Sequence, residues 1–274
     1  MNIPVILSAL FRNVYQGLTV PLFSGLRHRD LLRMLLRRDV VNRTSGTVLG
    51  MLWPLLQPGL QIAGFWFLFD IVYGMRFNRG PDFLSYLLVG MLPWLCLTEV
   101  LGRAAGMFRE FSSLYRRTPF PVELLPVVVM LIPGLVYTLI YVLMLVLMFD
   151  LATALHAFVI IPLLLLWILP LVLLFSVLGL FVRDFAQALP FALMLIMYCT
   201  PILYFPDMLP ESVRNVLWLN PFADIMGLMH ALIQGEAFAF SPQAVLRLIV
   251  EWLLLLGPCW LVFRRSLVHI REVL

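Results

Sequence analysis

From Thr44 to Phe69 the chain carries no charged residue, and the stretch before that run is rich in arginine. Bilayer hydrocarbon is about 30 Å thick, and roughly 20 apolar residues of helix are needed to cross it. The run is long enough. The arginines that precede it, in the stretch from Arg38 to Pro58, hold that end at the cytosolic face. Composition agrees: 62% of residues are hydrophobic, 12% are charged and the mean hydropathy is +1.00, whereas about a quarter of a soluble domain is charged. The net charge of +4 does not argue for nucleic acid. The charges are sparse and stand at the ends of apolar runs, where membrane topology puts them.

All 19 basic residues are arginine. Without a lysine, no Gly-x-x-x-x-Gly-Lys-Ser/Thr phosphate loop can exist. If nucleotide hydrolysis drives this chain, the hydrolysing subunit is another polypeptide. Cys96, Cys199 and Cys259 are isolated in apolar sequence and read as small buried hydrophobes, with neither disulfide nor metal spacing. His28, His156, His230 and His269 are scattered, and no hydrolase or metalloprotease motif occurs. The chain is expected to be no enzyme and to hold no metal.

The pattern predicts an all-α membrane protein with six transmembrane helices, both ends in the cytosol. Residues 1–43 form an N-terminal lead-in and a cytosolic amphipathic helix; residues 44–274 form a single transmembrane domain. Residues 1–26, with Arg12 as their one charge and Pro4 and Pro21 as punctuation, read as a surface-lying or loosely ordered lead-in without the basic start of a signal peptide. From Arg29 to Arg37, leucines and Met34 fall on one arc and Arg29, Asp30, Arg33 and Arg37 on the other, the pattern of an interfacial helix. The spans follow at about Val48–Tyr73, Phe83–Phe108, Leu124–Phe149, Ala157–Val182, Phe185–Phe205 and Ala244–Phe263. Between the fifth and sixth, residues 201–243 alternate short apolar pieces with Asp207, Glu211, Arg214, Asp224 and His230. No piece is long enough to cross, so an external re-entrant helical hairpin is predicted.

Under this topology fourteen arginines fall on the cytosolic side, and Arg76, Arg79, Arg214 and Arg247 on the other. Glu99 with Arg103, and Arg247 with Glu251, stand at i, i+4 and read as self-neutralising pairs near span ends. The segment Arg109–Pro121 is long enough for a short cytosolic helix, stopped by Pro119 and Pro121. Phe65, Trp66, Phe67 and Phe69, and later Tyr198, Tyr204 and Phe205, cluster near outer span ends. They fit an interfacial aromatic belt or a conduit offering flat surfaces to sugar rings.

Six motifs recur in order: TVLGMLWPLLQP at 47–58 (Leu49, Gly50, Trp53 and Pro58 carry the pattern), LLVGMLPW at 87–94, FPVELLP at 120–126, FVRDF at 181–185, PILYFPDMLP at 201–210 and LNPF at 219–222. Together they resemble the ABC-2-type permeases that export bacterial polysaccharides. The basic-aromatic pair usual before the first motif reads Arg43-Thr44, and the lysines usual before the third are Arg116-Arg117. The resemblance implies a homodimer in the bacterial inner membrane, joined to two copies of a cytosolic ATPase. ATP and magnesium would sit on that partner, and no cofactor on this chain. The cargo would be a lipid-linked polysaccharide, O-antigen foremost, with capsule, teichoic acid or a small lipid or drug as alternatives. Contacts to the ATPase would come from Arg109, Glu110, Leu114, Tyr115, Arg116, Arg117, Arg183 and Asp184. Arg29, Arg33, Arg37 and Arg38 would belong to a gate helix. Conduit candidates are Trp53, Phe65, Trp66, Phe69, Trp94, Tyr198 and Tyr204, and Pro201, Pro210, Asn220 and Pro221 would frame an external gate.

Two rivals fit less well. A membrane-embedded transferase needs acids or histidines converging on one face, and a secondary transporter predicts inverted repeats and unpaired midplane acids. Neither pattern is evident in this sequence.

Overall fold

The computed structural model describes residues 3–44, 48–72, 74, 83–115, 121–214, 217–234 and 242–269, and all regular structure among them is helical. The elements are α1 (Ile3–Arg27), α2 (Arg29–Thr44), α3 (Trp53–Trp66), α4 (Phe83–Glu110), α5 (Ser112–Tyr115), α6 (Leu125–Met148), α7 (Leu151–Ala154), α8 (Ala157–Phe181), α9 (Phe185–Tyr198), α10 (Glu211–Arg214), α11 (Pro221–Gln234) and α12 (Pro242–Ser266). Among the described residues, four helical stretches are long and apolar enough to cross a membrane: Phe83–Glu110, Val122–Met148, Leu151–Phe181 and Pro242–Ser266. Each matches an expected span closely. The first expected span is a helical run of three kinds, a 3-10 turn at Gly50–Leu52, then α3, then a π-helical stretch at Phe67–Val72. The fifth is the 14-residue α9.

Gly50 opens the first of these runs at φ +50°, a left-handed conformation that costs glycine little and other residues more. A Cβ there would touch nothing within 4 Å, so the demand is conformational rather than steric. Pro54 follows in the first turn of α3, where a missing N–H leaves no intrahelical bond unmade.

α4 is the axis of the bundle. It packs against α3, α6, α8, α9 and α11, and most of its residues are buried. Its closest neighbour is α8, where a Cβ on Gly179 would lie 1.9 Å from the Ala105 carbonyl oxygen. Such contact between small residues is how helices gain dispersion energy in lipid, where water does not drive association.

Prolines inside these helices leave carbonyls four residues earlier without a backbone donor. Three of those carbonyls receive side-chain donors from a neighbouring helix. Pro93 frees Val89 O, which accepts from the Tyr141 hydroxyl at 3.0 Å. Pro133 frees Val129 O, which accepts from Arg103 at 3.1 Å. Pro170 frees Leu166 O, which accepts from the Trp252 indole at 2.8 Å. In hydrocarbon an unmade backbone bond costs several kcal/mol, so these contacts help fix which helices are neighbours.

The amino-terminal expectation needs correction. Residues 3–27 are neither loose nor merely surface-lying: α1 lies along α12, with Gly17 against Trp260 and Gln16 accepting from Arg264 at 3.1 Å. Val14 of α1 is buried in the main core, with Leu10 and Leu18 packed against it. Pro21 does not end this helix.

Candidate functional site

A groove of about 590 Å³ opens between α3, α4, α6 and α9. The sequence builds it by helical spacing. Trp53, Gln57 and Gln61 recur every fourth residue and so form one stripe on α3. Leu95, Thr98, Glu99 and Gly102, at i, i+3, i+4 and i+7, form a second stripe on α4, while Tyr137 comes from α6 and Pro190, Met194 and Met197 from α9. Trp53 is 46% exposed and presents its ring. Trp94 is 1% exposed and closes the inner wall, its ring edge on Phe222 at 5.7 Å, which in turn meets Trp167 at 5.6 Å. Two primary amides, a hydroxyl, a carboxylate and indole surface in an otherwise apolar cleft suit a hydroxylated ligand with apolar faces.

Of the conduit candidates, then, Trp53 and Trp94 meet in this groove. The others lie elsewhere. Phe65 and Phe69 stack at 6.3 Å, and Phe69 tilts onto Phe83 at 5.5 Å. Trp66 and Tyr198 are exposed, and the Tyr204 hydroxyl donates to Tyr198 O at 3.1 Å. Gln57, Gln61 and Thr98 were missed by sequence reading. Their i, i+4 spacing with the tryptophans was the available signal.

The segment from Thr200 to α11 is held by a polar seam. Tyr86 of α4 reaches Pro201 O at 2.8 Å and Tyr204 O at 3.0 Å, and its ring stacks on His230 at 4.1 Å. Asn220 donates to Cys199 O at 3.1 Å and to the Thr200 hydroxyl at 3.0 Å, and accepts from Phe222 N at 3.1 Å. It thereby ties the start of α11 to the end of α9, with Pro221 at the first helical position. Pro210 is exposed, and its carbonyl accepts from Val213 and Arg214. Arg247 does not pair with Glu251 as its spacing predicts. Its guanidinium crosses to Asp224 of α11, Nε lying 2.6 Å from Oδ2.

At the other end of α4, the arginine-bearing helix ends gather. Gly179 rests on Ala105, Phe108 stacks on Phe263 at 6.0 Å, and Gly25 faces Leu124 and Val127. Arg109 and Glu110 are exposed at the end of α4, Leu114 is half-buried on α5, and Arg183 and Asp184 are exposed in the turn from α8 to α9. Both suggested ATPase contacts therefore emerge at one end. Tyr115 closes α5, its side chain outside the described atoms, and Arg116 and Arg117 lie outside the described residues.

On α2, Arg29, Arg33, Arg37 and Arg38 are exposed, and Leu35 is buried. The helix is docked by a contact that local spacing did not predict. Arg103 pairs with Asp39 at 2.6 Å rather than with Glu99.

A multi-pass α-helical membrane protein with a polar, aromatic groove beside its central helix is a membrane transport domain in outline. The family comparison names the class: the ABC-2 type transporter family matches residues 30–233, and the chain belongs to it. Two curated relatives are each called O-antigen export system permease protein RfbA. The one from Klebsiella pneumoniae is 27% identical over 203 residues, covering 72% of this chain and 77% of the relative. The one from Myxococcus xanthus is 30% identical over 207 residues, covering 73% and 78%.

Proposed function

We propose that this chain is the permease subunit of an ATP-driven exporter that moves lipid-linked O-antigen across the bacterial inner membrane. Two copies form the path, and two copies of a separate ATPase supply the energy. The groove carries this reading: it sets sugar-compatible chemistry, Trp53 with Gln57 and Gln61, on a face of α3 and α9 that is exposed in one copy. The relatives' names point to the same cargo. Exposed apolar residues such as Phe191 and Leu195 on α9 suit a second copy or lipid. The arginine-bearing end faces the cytosol with both termini, by the charge rule. Six crossings follow if Gly50–Val72 and α9 span with their flanking turns, the segment 201–243 forms the outer gate, and α2 lies at the headgroup layer as the gate helix.

The test is surface glycan in a strain lacking this chain. Glycan is expected to be lost, and to return only when the chain and its ATPase are supplied together. Return without the ATPase overturns the proposal. Replacing Gln57 and Gln61 together by leucine removes two hydrogen-bonding groups worth about 1 kcal/mol each, so export should fall at least about tenfold. The amount of chain in the membrane should not change. Undiminished export removes the groove from the path.

Arg116→Glu with Arg117→Glu reverses charge in the segment assigned to the ATPase contact. Glycan export should drop while membrane insertion, read by fractionation, stays intact. Wild-type export from that double variant takes these arginines out of the coupling surface.

A further inference from the structure

We propose that Arg103 is a positioning residue that links movement of the Arg109–Tyr115 segment to α2, by exchanging Asp39 for Glu110 about a fixed pivot. The inference rests on reading the chain as an ATP-driven permease.

The pivot is the contact from Nη1 of Arg103 to Val129 O at 3.1 Å. That carbonyl belongs to α6 and lacks a backbone donor because Pro133 lies four residues on. One arm of the guanidinium is thus held by a demand that does not depend on α2. The other arm, Nη2, donates to Asp39 Oδ2 at 2.6 Å, and the Asp39 side chain is only 2% exposed. The same Nη2 stands 4.0 Å from Glu110 Oε1, whose side chain is 41% exposed. A charge-assisted N–H···O bond closes at about 2.8 Å, so a shift of little more than an ångström brings Glu110 into full competition for that arm.

The three elements joined here differ in what they can do. Most of α4 and one face of α6, Val129 included, sit in the core. Glu110 marks the point where α4 ends and the chain turns into α5. Asp39 lies in the last turns of α2, next in sequence to the segment that leads through Gly50 to Trp53 at the groove. A planar fork with five donors can keep one acceptor while changing another. Contacts of this kind, with two discrete arrangements, let a small displacement at one site bias another.

The experiment uses the full chain, alone in membranes and copurified with its ATPase. Asp39→Asn should leave Arg103 to Glu110 and free α2: tryptic cleavage at Arg37 and Arg38 rises, ATP turnover rises about tenfold, and export falls. Glu110→Gln should leave Arg103 on Asp39: cleavage is unchanged, and turnover and export both fall about tenfold with the ATPase still copurifying in full. Arg103→Lys keeps the charge but loses the planar fork that spans pivot and partner, and should export poorly at normal yield. A pair that merely holds the fold would lower yield and turnover in both single variants. Shifts in the same direction, or a Glu110→Gln variant indistinguishable from wild type, overturn the proposal. A wild-type complex that hydrolyses ATP yet moves no glycan overturns the functional reading instead, while the opposed cleavage and turnover effects still decide the role of Arg103.

Discussion

Gly179→Ala is expected to abolish most of the folded protein. The new Cβ would lie 1.9 Å from Ala105 O and 2.7 Å from Ala105 C, and neither atom is the movable tip of a side chain. α4 and α8 would have to separate along their closest approach, losing dispersion contacts on both sides. Overpacking a core costs about 1–3 kcal/mol, and a backbone obstruction belongs at or above the top of that range. The measurement is the monodisperse fraction after detergent extraction. Gly134→Ala is the control: its Cβ would lie 2.5 Å from Leu165 Cδ1, the end of a side chain that can turn away. Equal yields from the two variants would show that the α4–α8 contact is looser than described.

The second large effect belongs to Arg247. Its guanidinium faces Asp224, whose side chain is 12% exposed, and truncation to alanine would leave that carboxylate without its counter-charge. Breaking a fully buried pair from one side costs about 3–5 kcal/mol, and with Arg247 itself 31% exposed the cost here falls below that range, whereas removing both charges costs less still. Arg247→Ala should therefore lower the thermal midpoint in detergent strongly, and Arg247→Ala with Asp224→Ala should recover most of the loss. Additive losses in the double variant would mean the two residues do not act on each other. This pair joins α11 to α12, so α11 should become the first segment cleaved by protease in the single variant.

How much was legible beforehand divides along a physical line. The extents of the long helices were: spans expected at Phe83–Phe108 and Ala157–Val182 are helices at Phe83–Glu110 and Ala157–Phe181. Apolar run length is a local property of the chain. So was the stripe Trp53, Gln57, Gln61, although its polar members went unremarked. What could not be read are partners distant in sequence. Arg103 and Arg247 each have an acid four residues away on their own helix, yet pair with Asp39 and Asp224. The prolines were visible, but the donors Tyr141, Arg103 and Trp252 lie on other helices, and nothing local marks them. α1 was underestimated because its burial depends on α12, more than two hundred residues on.

The enclosure of α4 has a mechanical consequence. With α8 seated against its backbone at Gly179 and α6 tied to Val89 through Tyr141, this helix cannot tilt without reopening packing on several sides at once. It is the mast of the bundle. Whatever swings must swing around it, and α3 and α9, the groove walls with exposed residues such as Trp53 and Phe191, are the sails: a passage would widen by their parting while the mast stays upright.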